Sequence, residues 1–471
     1  MPRSLHSKPE QPRILAGGHI CEIPQELLSE IFLAEIRDEE GRFEGIEGEQ
    51  ETRAARSRSH ASSFLGTVSQ VCSLFRSVAV STPALWSSIL VTANSDPERV
   101  HTYLKRSCAV ALGIRVELRG RWCNQVENVR SLLTMIVAHA ERWGHLSIDC
   151  GQGSTDDFAV VPFLCDTYCP RLQGLNINVD EFNHTDGVNP GSIDGSPDNP
   201  TIFSAPLPKL RALRLCGLAV YMYRPSFQAL RILELTQTIG IAVSYDTFRS
   251  LVTTSPALAH LSVSVDILSF AAYEVLPRID TPVLLSLRVE GGDGHTCGLL
   301  LGKIDAPMLE VLTLKGMHED DFDPFLTPRH TIAMPQVKSL ALQDFDISAP
   351  IQRCFFRYFP RVTSFSCTHS TVAASQFLRV CKARGQGLSG ATNSLVPLTA
   401  IGWPDLNILT IGFNEDDEAD SLQEFLEFRQ QKGSPLGEIR FFTEDDQQLE
   451  EWKEQLKATT TVISSLVTSF C

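Results

Sequence analysis

Pro208-Lys209-Leu210-Arg211-Ala212-Leu213-Arg214-Leu215 is one copy of a phrase on whose reading the fold depends. The alternation Leu213-x-Leu215 has the period of two that puts one face of a short strand inward. A proline, having no N–H to donate, is tolerated just before such a strand rather than within it. The phrase returns at Pro170, Pro256, Pro282, Pro307, Pro335, Pro360 and Pro404. A copy without proline stands at Leu230-Arg231-Ile232-Leu233-Glu234-Leu235, and a weaker one at His145-Leu146-Ser147-Ile148. Between Leu172, Leu210, Leu230, Leu258, Leu284, Leu309, Val337, Val362 and Leu406 the steps are 38, 20, 28, 26, 25, 28, 25 and 44 residues. Segments of helical periodicity lie between copies, such as Tyr245 to Val252 and Ile267 to Leu276. Strand, helix and turn, repeated, predict an α/β chain wound as a solenoid around a curved parallel sheet.

Toward the N-terminus the pattern changes. In Ile23-Pro24-Gln25-Glu26-Leu27-Leu28-Ser29-Glu30-Ile31-Phe32 the apolar residues recur at helical spacing, with proline in the first turn where its missing N–H costs nothing. A second stripe comprises Val68, Val71, Cys72 and Phe75, followed by Val78 and Ala79. Ser81-Thr82-Pro83 supplies a stop before Leu85 and Trp86. Short helices of this size cannot bury all these faces among themselves, so the rest of the chain or another protein must cover the remainder.

These three segments, in this order, resemble an F-box, the helical module that docks a protein onto the Skp-family adaptor of a cullin ubiquitin ligase. The repeats resemble an irregular leucine-rich-repeat region, most steps lying in or near the spacing of that family. They lack its Asn or Cys ladder position. Together the likeness is to fungal-type F-box proteins, and it covers nearly the whole chain. It implies an N-terminal helical F-box followed by a leucine-rich-repeat-like solenoid. It also implies a non-enzymatic substrate receptor whose partners are the adaptor, through it a cullin, and a protein substrate. The adaptor-docking positions it implies are Pro24, Leu27, Leu28, Ile31, Val68, Val71, Phe75, Leu85 and Trp86, some of which must instead face inward. Phe75 stands where many F-boxes carry Trp. The stretch from about Asp38 to Ser63 lengthens the first connection beyond the family's usual loop. Acidic in its first half, basic and serine-rich in its second, it reads as disordered. That insert keeps a second reading open, a repeat-based interaction scaffold not tied to a ligase.

Composition and boundaries are consistent with either reading. The chain has 471 residues and a formal net charge of −15, which argues against a general nucleic-acid binder. No secretory leader or bilayer-spanning run is read, so a cytoplasmic or nuclear location is expected and no membrane partner. The expected organisation is a tail over 1–19, the helical domain over 20–92 with its insert at 38–63, a connecting segment over 93–150 and the repeats over 151–471. Within the repeats, Ser421-Leu422-Gln423-Glu424 reads as a capping box, and a further helix is expected near Gln447 to Leu456.

Chemistry is sparse. The thirteen cysteines are scattered and odd in number, as reduced core thiols would be. Cys165-x3-Cys169 lacks a second pair for zinc. Gly298 to Lys303 is one residue short of a phosphate loop, with Ile304 where magnesium would need Ser or Thr. His318-Glu319 lacks the second histidine of a zinc-protease helix. No cofactor or metal is expected. In or beside the phrases, Arg171, Lys209, Arg211, Arg214, Arg231, Arg288, Lys315, Lys338 and Arg361 outnumber Glu234, Glu290, Glu310 and Asp405. Either these cations are ordinary solvent-facing strand residues, or Arg171, Arg211, Arg214, Arg288, Lys315, Lys338 and Arg361 bind an acidic or phosphorylated segment of the substrate.

Overall fold

Each phrase continues into a strand, and the strands join in chain order. The computed structural model describes residues 23–40, 64–118, 125–150, 161–165, 167–179, 203, 205–216, 227–236, 243–270, 276–291, 296–317, 321, 334–344, 355–356, 358–368, 378, 403–412, 417–442 and 462–466. Fourteen strands among these form one sheet. They are Ser88–Thr92, Leu112–Glu117, Trp143–Cys150, Gly174–Val179, Ala212–Cys216, Ile232–Thr236, His260–Ser264, Ser286–Glu290, Val311–Lys315, Ser339–Gln343, Ser364–Thr368, Ile408–Gly412, Glu438–Phe442 and Val462–Leu466. Every neighbouring pair is parallel. The fold is therefore mixed α/β, with one large parallel sheet and several helices.

Register explains why the phrase repeats. One inward apolar position in each of thirteen strands pairs with its counterpart in the next, from Ile89 through Ile114, Leu146, Leu175, Leu213, Leu233, Leu261, Leu287, Leu312, Leu340, Phe365 and Leu409 to Ile439. A second row, two residues on, runs from Val91 to Phe441. Both rows are buried in one continuous core. A slip of one residue would move a whole strand's apolar set to the solvent face, so the period-two pattern holds each strand in place. Helices add the second layer of that core: Val126–Val137 through Leu132 and Ile136, Tyr245–Thr253 through Phe248 and Val252, and Asp417–Gln431 through Leu422 and Phe425.

Contacts divide the chain into two units. One runs to Ser87 and includes Arg106–Cys108; the other holds Ser88–Lys105 and everything from Ala109 on. The stretch Ser88–Thr92, read from sequence as the end of the helical domain, is thus the first strand of the sheet. In the smaller unit, the helices Gln25–Glu40 and Ser73–Ser81, a helical run over 64–71 and a 3-10 turn at Pro83–Trp86 pack together. The first helix extends through Glu40, three residues into the stretch read as the insert; 41–63 lie outside the described residues.

Two local readings are corrected. Ile267 to Leu276 is not one helix: Val265–Ile267 is a 3-10 turn, and Leu268–Ser269 is a strand pairing with Val243–Ser244. That pairing takes up backbone groups a helix would have needed. Ser421 is not an N-cap, because the helix has already begun at Asp417 and Ser421 lies in its second turn. The helix expected near Gln447 to Leu456 lies outside the described residues.

Candidate docking and partner-binding surfaces

In the smaller unit, helical periodicity makes two faces. Leu28, Phe32 and Leu33 turn inward, and Phe32 meets Phe75 edge-on at 5.3 Å and Phe64 at 6.1 Å. Val68, Val78, Ala79, Leu85 and Trp86 are buried as well. The connection after residue 71 is set by Cys72, whose Sγ accepts the N–H of Phe75 and starts the next helix. Trp86 donates its indole N–H to the Ala79 carbonyl at 2.7 Å, and the Arg106 guanidinium lies over the same ring at 4.4 Å. A large aromatic with its polar atom satisfied is a structural anchor.

The opposite face stays open. Leu27 is 56% exposed, Ile31 54% and Val71 58%, and Pro24 is exposed beside them in sequence. The nine docking positions named from the sequence therefore separate. Pro24, Leu27, Ile31 and Val71 are available to a partner, whereas Leu28, Val68, Phe75, Leu85 and Trp86 are buried in the fold. Val80, also exposed, was not singled out from the sequence; it follows two buried positions, Val78 and Ala79, on the same helix.

In the larger unit the cations named as substrate-binding separate too. Arg214 is held by Glu234 at 2.8 Å, its register partner on the next strand. Lys315 pairs with Glu290 at 2.5 Å and Lys338 with Glu310 at 2.6 Å, again between neighbouring turns of the chain. Arg361 donates to the Gln336 side chain at 2.6 Å. Arg288 is half-buried between Ser262 and Thr313 in register, with no side-chain partner among the described residues. Arg171 and Arg211 are exposed and likewise without one. Three of the seven named cations, Arg214, Lys315 and Lys338, are thus neutralised by carboxylates on or beside the neighbouring strand. Of the others, Arg288 lies on a strand, and Arg171, Arg211 and Arg361 lie in the turns that lead into the strands.

His260, on the same sheet face, is held below the usual histidine range, chiefly by burial, with Glu234 pulling the other way; its Nδ1 is buried without a partner. Burial pushes the Cys169 thiol up to about 12, which keeps it protonated and unreactive. The stretch Gly298 to Lys303 is mostly helix, Thr296–Leu301, with Leu300 and Leu301 buried. No group of three or more His, Cys, Asp or Glu side chains suited to a metal ion occurs among the described residues. No described helix is long and apolar enough to cross a membrane. No protein-family model and no curated protein matches the chain.

Proposed function

We propose that this chain is a substrate receptor of a Skp–cullin–F-box ubiquitin ligase, its helical unit docking the adaptor and its repeat region presenting the substrate. The supporting observation is the exposed apolar group Leu27, Ile31 and Val71, on helices whose other faces are already packed. On this reading these large apolar side chains, each more than half exposed, are the surface that the adaptor covers. On this reading the chain carries no reaction. It raises the local concentration of substrate beside a transferase that belongs to other subunits.

The experiment is co-purification of the full chain with a Skp-type adaptor and a cullin, wild type beside Leu27→Asp/Ile31→Asp, with circular dichroism on both. Because both side chains are exposed, the double variant is expected to fold and to lose the adaptor. Failure of the wild type to bind would leave a repeat-based scaffold with another partner.

A further inference from the structure

Two rows of side chains stand just ahead of the strands in the larger unit. The first is the residue preceding each strand. Its backbone N–H reaches the matching carbonyl one turn earlier: Arg211 to Gln173 and Arg231 to Arg211, both at 2.7 Å, Ala259 to Arg231 at 2.9 Å, Leu285 to Ala259 at 2.8 Å and Glu310 to Leu285 at 2.9 Å. These residues are therefore neighbours at the strand spacing of about 4.8 Å. The second row, over the same span, is the residue after the phrase proline: Arg171, Lys209, Ala257, Val283 and Met308.

Both rows are sorted in the same direction. After the neutral Gln173, the members on the Gly174–Val179, Ala212–Cys216 and Ile232–Thr236 side are the cations Arg171, Lys209, Arg211 and Arg231; toward Ser286–Glu290 and Val311–Lys315 they are the apolar Val283, Leu285 and Met308, up to Glu310, whose carboxylate is taken by Lys338. Arg171, Lys209, Arg211 and Arg231 are all exposed, and none has a side-chain partner among the described residues. Arg211 and Arg231 are adjacent like charges, an arrangement that is destabilising by itself. It contrasts with Arg214, Lys315 and Lys338, each of which meets a carboxylate. Beside the cations, Val283, Leu285, Met308 and Val311 are 38–53% exposed.

We propose that this edge binds an extended polypeptide segment with carboxylates at one end and large apolar side chains at the other. The proposal rests on the reading of the larger unit as the part that holds the partner. Five strand intervals separate Gly174–Val179 from Val311–Lys315, a span of roughly 24 Å. An extended segment of about seven residues covers that length. A nucleic acid would leave the apolar half uncovered, and an anionic membrane would meet a chain whose net charge is −15.

A random dodecapeptide library displayed on phage, panned against the purified full chain, tests this without the adaptor, so its result is independent of the co-purification above. Enriched peptides should carry a run of Asp or Glu next to Leu, Ile, Phe or Trp. Made synthetically with a fluorophore, they should bind Arg211→Glu/Arg231→Glu at least about tenfold more weakly than wild type, with a reduced salt dependence. They should also bind Leu285→Ser/Met308→Ser more weakly, with the salt dependence kept. Thermal melts confirm that both variants are folded. No enrichment, enrichment without acidic runs, equal binding to the charge-reversed chain, or stronger binding of phosphatidylserine vesicles than of the peptides would each overturn the proposal.

Discussion

Leu27 and Leu28 are chain neighbours with opposite environments: Leu27 is 56% exposed and Leu28 is 1% exposed. One step along a helix rotates the side chain by about 100°, enough to carry it from the open face to the core. Leu28→Ala is expected to lower stability by about 2–5 kcal/mol through lost burial and the cavity left behind. Leu27→Ser should stay within about 0.5 kcal/mol. Chemical denaturation of the two single variants against wild type measures both.

Arg429 is fully buried, and its guanidinium donates to the carbonyls of Trp403, Pro404 and Leu406 at 3.1–3.2 Å. It holds a turn in which Trp403 has a φ of +49°, a conformation a bulky residue adopts only when its surroundings enforce it. Trp403 is fastened from the other side by its indole N–H, which reaches the Phe359 carbonyl at 2.7 Å. Arg429→Ala strands these carbonyls and should cost about 3 kcal/mol or more. Arg429→Lys should recover only part of the loss, since one ammonium cannot reproduce the planar fork. A rank order other than wild type, Lys, Ala in thermal melts would contradict this account.

Two glycines should fail for different reasons. A Cβ on Gly291 would collide with the Gly316 carbonyl oxygen, a backbone atom that cannot swing aside. Gly291→Ala is therefore expected to cost about 1–3 kcal/mol through overpacking. Gly433 has open space around it but a φ of +75°, and it ends the helix Asp417–Gln431 with Ser434 N–H on the Arg429 carbonyl. Gly433→Ala should cost about 1 kcal/mol from backbone strain alone, and Gly433→Asn less, since Asn tolerates that region. Urea midpoints of the three variants distinguish packing from conformation.

Stability should fall on acidification. His260 and His139 are both held below the ordinary value of 6.5, first by burial, with Arg142 and His101 adding to the effect at His139. The unfolded chain then binds protons that the folded chain refuses. Their contribution is complete above the unfolded value and is lost as pH drops below about 6.5 toward the lowered folded values. Across that window the melting temperature of His260→Gln should decline less steeply than that of wild type. Equal slopes would show that His260 does not carry the dependence.

Tyr245 donates its hydroxyl to the Pro277 carbonyl at 2.6 Å, and burial is the main reason its ionisation is pushed up to about 12. Tyr245→Phe leaves the ring's packing and removes this bond, at a cost of about 1 kcal/mol. Ultraviolet titration of wild type should show one tyrosine ionising near 12 that is missing from the variant.

Much of the larger unit was legible because its signal is local and repeated. Leu213-x-Leu215 and its counterparts alternate with the period of a half-buried strand, and all eight proline-led phrases run into strands of the sheet. Ser88–Thr92 escaped notice because Leu85 stands one residue further from Ile89 than the phrase requires, and Glu438–Phe442 because Pro435 stands one residue nearer Leu436 than the phrase requires. Ile267 to Leu276 misled because buried apolar runs carry no period that separates helix from strand. Leu285 and Met308 were not singled out as a surface, since an apolar residue beside a strand reads as core until its exposure is known.

The order of strands and the inward faces of most elements were settled by the chain itself, because alternation and helical spacing are properties of consecutive residues. Which of Pro24, Leu27, Leu28, Ile31, Val68, Val71, Phe75, Leu85 and Trp86 remain open was decided only by packing. So was the division of the cations into Arg214, Lys315 and Lys338, each with a carboxylate, and Arg211 and Arg231, adjacent and without one. The carboxylates that meet Arg214, Lys315 and Lys338 come from 20 or more positions away, as Glu234 does for Arg214, and that proximity exists only once parallel strands have set the register.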